Sequence, residues 1–178
     1  YIKELYDSIV AQTYENWEWI LWLNNDIQKS DLDDSILNDD RVIIHRTESE
    51  SKDVGYHKHY AFHEGSGDVL VEIDSDDLIT PDCLEELNIA YQDPEVGFAF
   101  SDVVMYQDDF IPYLADHGWT EYPEKYKFRG KEYTVMNSWK PTSQSLAFIW
   151  YAPDHVRSWR RDVYRSVGGH DKELSICD

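Results

Sequence analysis

The sequence predicts an α/β fold: a Rossmann-like, mostly parallel sheet flanked by helices. Three observations point there. Short apolar runs alternate along the chain with segments of helical periodicity. Two of those runs stop abruptly in polar side chains, at Asn24-Asn25-Asp26 and at Asp74-Ser75-Asp76-Asp77, where a parallel sheet would carry its ligand site. And 178 residues with 42% hydrophobic content suffice for one core, so a single domain is expected.

Along the chain, Ile2, Leu5, Ile9 and Val10 form one apolar stripe, the mark of an amphipathic helix from Tyr1 to about Tyr14. That helix is already under way at the first residue, so something is expected to precede it. Trp17–Leu23 reads as a buried strand. Asp31–Asp39 has a weak helical pattern, and Arg41–His45 is a second strand. Val54–Glu64 reads as a helix closed by Gly65-Ser66-Gly67. Asp68–Ile73 is the clearest strand. After it, Thr80 is expected to cap a helix with Pro81 in its first turn and Leu84, Leu87 and Ile89 on its apolar positions. Val96–Met105 reads as one strand. The stretch from Tyr106 to Ser138 breaks the alternation and reads as an insertion over one face, partly mobile, with a hairpin near Arg129-Gly130. Helical character returns near Thr142–Trp150 and Arg161–Val167, where Gly168-Gly169 supplies the stop.

Charge narrows the function classes. Acidic residues outnumber basic ones 36 to 16, for a formal charge of -20. Such a surface repels nucleic acid and anionic lipid, so no nucleic-acid partner is expected. Cys83 and Cys177 are far apart and form no disulfide or zinc pattern. A reducing, cytoplasmic setting follows, with peripheral membrane association as the variant. No run reaches the ~20 apolar residues of a membrane span.

The acid cluster carries the chemistry. Three carboxylates within four residues repel one another unless a cation or hydrogen bonds compensate. Oxygen ligands of this type suit Mg²⁺ or Mn²⁺, which one or two carboxylates hold together with substrate phosphates. The plainer reading is a solvated acidic loop. A calcium EF-hand fails, because Ile79 stands where that loop requires glycine. A phosphatase of the haloacid-dehalogenase type also places Asp-x-Asp after a strand, but Asp77-Leu78 does not continue its pattern. A non-catalytic nucleotide- or sugar-binding module is the third alternative.

Several landmarks together resemble the inverting glycosyltransferase family 2, of GT-A fold. Ser8…Gln12-Thr13-Tyr14 resembles a helix end "S-x-x-x-Q-T-Y", and Ile20–Asn25 sits where a strand ends in two aspartates. Gly55 with His57-Lys58-His59 stands in the place of "Gly…Ala-Arg-Asn", and Gly67–Asp77 resembles "G-E-Y-I-x-x-L-D-A-D-D". Trp159-Arg160-Arg161 and Gly168-Gly169-His170-Asp171 resemble "R-R…G-G-F-D". The likeness covers nearly the whole chain outside the insertion, and it implies that the family's first strand is missing before Tyr1 and that 106–150 is an acceptor-side insertion.

The resemblance implies a nucleotide-sugar donor (UDP- or GDP-linked), a carbohydrate or other hydroxyl acceptor, and Mn²⁺ or Mg²⁺. It implies that Asp74 meets the ribose or the metal, that Asp76 ligates the metal, and that Ser75 belongs to the donor site. Asn24 stands where an aspartate contacts the base, and an amide there still donates and accepts. Lys58 replaces an arginine and keeps the charge for a phosphate, although a lysine on a helix surface needs no such partner. Trp159, Arg160 and His170 are candidates for acceptor or phosphate contacts. Trp119, Trp139 and Trp150 would extend a platform, against ordinary burial as the simpler account. His155 or His170 would be a third metal ligand; His57 and His59, at i and i+2, face apart. Asp178 falls at the first member of the acidic pair that holds the family's base, with the base itself expected at the second, beyond the chain. The chain is thus expected to be one GT-A-like domain over 1–178, truncated at both ends.

Overall fold

The computed structural model describes residues 1–24, 27–47, 53–106, 115–116, 118–148, 153–154 and 156–175. The expectations placed on Asn25, Asp26, Trp150, His155, Cys177 and Asp178 lie outside these residues, as does part of the 106–150 insertion. Packing divides the chain into two compact units: Tyr1–Leu70, Asp74–Phe98 and Ser158–Asp178 form one, and Val71–Ile73 with Ala99–Arg157 the other.

In the first unit, helix α1 spans Ile2–Val10, strand β1 Trp19–Leu23, helix α2 Asp34–Leu37 and strand β2 Val42–Arg46. β1 and β2 pair in parallel, Trp19 opposite Val42 through Leu23 opposite Arg46. The helical stripe explains the packing. Tyr6 joins Leu21, Leu23, Leu32 and Ile36 in one buried cluster, edged by Ile2, Trp19, Val42 and Ile44. Leu5 and Ile9 are buried as the periodicity predicts, but Val10 is 44% exposed and Tyr6 takes its place on the stripe. The phenol is admitted to the core because its hydroxyl donates to the Ser35 carbonyl and to Asp39, each at 3.0 Å.

Helix α3, Val54–Glu64, matches its predicted limits and lies against β1. Strand β3 is Val69–Glu72 and helix α4 is Cys83–Ala90. The predicted start of α4 is corrected here. Its N-cap is Asp82, and Thr80 lies outside the helix, its carbonyl accepting from the Cys83 N–H at 3.0 Å. Ile89, expected on the apolar side, is 56% exposed.

The single strand expected over Val96–Met105 is two: β4, Phe98–Phe100, and β5, Val103–Val104, in different sheets. The break falls at Asp102, a residue that strands disfavour, whose carboxylate accepts from the Ser138 N–H at 2.8 Å. The hairpin in the insertion is long. Strand β6, Thr120–Phe128, pairs antiparallel with β7, Lys131–Asn137, across Arg129 and Gly130 at φ 48° and 80°. Two successive positive φ values make the turn type that matches strand twist. β5 also pairs antiparallel with β7, giving the order β5-β7-β6. Trp119 and Met136 are buried on this sheet with Val103, Met105 and Trp139 against them, so Trp119 is core.

Helix α5 covers Ser143–Phe148, strand β8 Arg157–Arg160 and helix α6 Arg161–Ser166. The α6 stop is as predicted: Gly168 and Gly169 have φ of 90° and 69°. β8 was not foreseen. It lies between β3 and β4 in the order β3-β8-β4, and its two arginines disguise it as a surface segment. The class is α/β, with a parallel β1–β2 pair and flanking helices as expected, and an antiparallel sheet built by the insertion.

Candidate active site

The acid cluster begins two residues past the end of β3, as the strand pattern requires. Asp74 to Asp77 close a tight turn in which the Asp77 N–H donates to the Asp74 carbonyl at 3.1 Å. Asp74 and Asp77 are half-buried, while Ser75 and Asp76 are exposed. The Asp76 carboxylate is thus presented to solvent at the tip of a short turn, where water screens it from its neighbours.

The chain after this turn is fastened to α1. The Ile79 N–H reaches Ser8 Oγ at 3.4 Å, and the Thr13 N–H donates to the Pro81 carbonyl at 2.8 Å. Gln12, only 6% exposed, donates from Nε2 to the carbonyls of Ser8 (3.0 Å) and Thr80 (2.7 Å), and Oε1 accepts from the Leu84 N–H at 2.9 Å. Thr13 Oγ1 adds a bond to Glu85 at 2.7 Å. These bonds explain why α4 starts late. The Thr80 and Pro81 carbonyls are held by Gln12 and Thr13, just past α1, and Gln12 satisfies the Leu84 N–H, an orphan donor of the helix's first turn.

The remaining predicted residues divide into two groups. Asn24 is half-buried just past β1, its carbonyl accepting from Ile27 at 3.3 Å, and Lys58 is half-buried on α3. Both belong to the same compact unit as Asp74, Ser75 and Asp76. Trp159, Arg160 and His170 are in that unit too, but each is engaged in holding it together. Trp159 packs edge-on or tilted against Phe62, Phe98, Tyr164 and His170, with ring centroids 5.3–5.9 Å away. Arg160 donates from Nε to the Val96 carbonyl at 3.0 Å and from Nη2 to those of Tyr91 and Asp93 at 3.1 and 2.9 Å, closing the carboxyl end of α4. His170 Nδ1 lies 2.7 Å from Tyr164 Oη, and its carbonyl 3.0 Å from His59 Nδ1.

The segment carrying His170 is docked on the start of α3. The Gly55 N–H donates to the Leu174 carbonyl at 3.1 Å, and a Cβ on Gly55 would lie 1.9 Å from the Asp171 carbonyl oxygen. His59 and His63, one helical turn apart, have ring centroids 4.2 Å apart. Burial, followed by the neighbouring His59, lowers the His63 pKa. Among the described residues, no three His, Cys, Asp or Glu side chains gather into a metal-holding group. Nor, among them, is any helix long and apolar enough to cross a membrane.

Sequence reasoning did not find the Gln12 clamp, although Gln12-Thr13 was visible as a landmark; a hydrogen bond spanning 72 residues leaves no local pattern. It also missed the buried Arg157–Glu72 pair, at 2.9 Å in the second unit, because both residues look like surface charges.

Comparison with known proteins accords with this layout. A curated relative, the glucosyl-dolichyl phosphate glucuronosyltransferase of Haloferax volcanii, is 26% identical over 175 residues, covering 95% of this chain. The chain spans about half (50%) of that relative's length. The family model described as "Glycosyl transferase family 2" matches residues 1–149, which include the parallel pair, the acid turn and α4. The chain belongs to glycosyl transferase family 2.

Proposed function

We propose that this chain binds a nucleotide diphosphate sugar, UDP- or GDP-linked, and transfers the sugar to an acceptor hydroxyl with inversion, assisted by Mn²⁺ or Mg²⁺. The observation that carries the proposal is the acid turn 74–77, just past a strand end and inside the region matched to the family, with Asp76 open to solvent. The donor set fits the ion: two carboxylates, Asp74 and Asp76, leave the other coordination positions to diphosphate oxygens, the usual arrangement for Mg²⁺. When bound, the cation supplies charge stabilisation for the departing diphosphate.

The chain's own residues do the rest. Asn24, past the end of β1, offers an amide to the base, and Lys58 on α3 offers a cation to phosphate. Asp74 meets the ribose or the metal, Asp76 the metal, and Ser75 contacts the donor. The acceptor oxygen attacks the anomeric carbon while the bond from that carbon to the diphosphate oxygen breaks, its electron pair leaving with the nucleoside diphosphate. The acceptor proton passes to a carboxylate base, for which Asp178 is the candidate in this chain. Trp159, Arg160 and His170, half-buried and packed within the same unit, are the candidates for acceptor or phosphate contacts. The curated relative is named for glucuronosyl transfer and glucosyl-dolichyl phosphate. A lipid-phosphate-linked sugar is accordingly the first acceptor class to test.

Calorimetric titration with UDP and GDP, with and without Mn²⁺, is the direct test. Nucleotide binding that requires Mn²⁺ supports the proposal. Binding of sugar with neither nucleotide nor metal would replace it with a non-catalytic module, and phosphate release from simple esters would replace it with a phosphatase.

A further inference from the structure

We propose that Gln12 is a positioning residue for the acid turn, acting as a cap on α4 supplied from the segment just past α1; this rests on the donor-site reading above. α4 carries no side-chain cap of its own, since the Asp82 side chain makes no capping bond. The Leu84 N–H is instead met by Gln12 Oε1 at 2.9 Å, while Gln12 Nε2 holds the Thr80 carbonyl at 2.7 Å. One buried amide therefore grips both sides of the junction between the turn and the helix. Ser8 Oγ takes the Ile79 N–H at 3.4 Å, only two residues after the turn closes at Asp77. The acid turn is consequently anchored downstream by Ser8 of α1 and by Gln12 just past that helix, and not by the sheet alone.

The amide is the only common side chain of this length that offers both a donor pair and an acceptor. Leucine removes both functions at similar volume. Glutamate makes the requirement measurable: a protonated carboxyl retains one donor for Thr80 and one acceptor for Leu84, whereas the ionised form sets negative charge against the Thr80 and Ser8 carbonyls. Burial disfavours the ionised form of a carboxyl at this position, so low pH favours the form that keeps both bonds.

The experiment compares the full chain with Gln12→Glu and Gln12→Leu by calorimetric titration of UDP in the presence of Mn²⁺, from pH 5.5 to 8. The quantity read is the affinity of Gln12→Glu relative to the parent at each pH, which cancels the pH dependence of the phosphates and of the acid turn. The ratio is expected to be near one at the low end and to fall about tenfold by the high end, equivalent to about 1.4 kcal/mol. Gln12→Leu should be weakened at every pH. A ratio flat near one would overturn the proposal. If the parent binds no nucleotide, the donor-site reading fails, and amide exchange then decides the clamp separately. Faster exchange at Asp77 and Ile79 as well as Leu84 in either folded variant supports it. Faster exchange confined to Leu84 overturns it.

Discussion

Arg157 and Glu72 form an ion pair inside the second unit, with Nη2 of the arginine 2.9 Å from Oε1 of the glutamate and both side chains almost fully buried, at 6% and 5% exposure. Taking two charges out of water is costly, and only close contact compensates. Removing one partner strands the other. Arg157→Met is therefore expected to cost about 3–5 kcal/mol in chemical denaturation. Adding Glu72→Leu to it should recover most of the loss, because no buried charge remains. A single variant as stable as the parent would show that the pair is not shielded from water.

Asp76→Ala is expected to abolish Mn²⁺-dependent nucleotide binding without lowering the melting temperature. The carboxylate is exposed at the tip of the turn, and removing one of three clustered charges relieves repulsion. Calorimetry and thermal denaturation on the same sample check both halves. Undiminished Mn²⁺ dependence in the variant would remove Asp76 from the metal site.

Gly55→Ala tests the docking of the segment after α6. The added Cβ would sit 1.9 Å from the Asp171 carbonyl oxygen, a backbone atom that cannot swing away. A loss of about 1–3 kcal/mol is expected, as for overpacking generally. Faster exchange of the Gly55 N–H, which is bonded to the Leu174 carbonyl, should accompany it. A neutral effect on both would mean that the segment is only loosely held.

Asp39 makes a pH prediction. The Arg41 guanidinium, with bonds of 3.0 and 2.8 Å from Nε and Nη2, holds its carboxyl far below the usual carboxylate range, and Tyr6 Oη adds a further donor. A pKa lowered in the folded state contributes stability that is fully present above the unfolded value, about 3.9. That contribution is lost as pH falls from there toward the folded value. Asp39→Asn should therefore flatten the acid limb of the melting temperature below about pH 4. An unchanged acid limb would assign that loss of stability to other carboxylates.

Helices and strands with their own local signals were legible in the sequence, and those made by distant partners were not. α3 was readable to the residue because Gly65 and the preceding Val54–Glu64 pattern are local. The acid turn was readable because polar residues cut off an apolar run at Ile73. The late start of α4 was not, because Thr80 and Pro81 are good capping residues in isolation and only the Gln12 and Thr13 bonds draw them out of the helix. β8 was hidden for a similar reason: Arg157 is buried against Glu72, 85 positions away, and Arg160 is turned onto the end of α4. Of the candidate contacts, Trp159 was named for its ring and is placed by its neighbours Phe62, Phe98, Tyr164 and His170, which leave it half-buried.

The order β3-β8-β4 puts the last-made strand in the middle. While the chain leaves the ribosome, Val69–Glu72 and Phe98–Phe100 are finished long before Arg157–Arg160 exists to join them. The Val156 N–H meets Ser101 Oγ only after 55 residues have been spanned. Until then both early strands carry open edges, the kind that pair with the wrong chain. Long-range pairings of this sort also form slowly. β3, whose end leads into the acid turn, is thus synthesised early and completes its pairing only when β8 returns to it, so the arrival of that strand sets the timetable of the sheet.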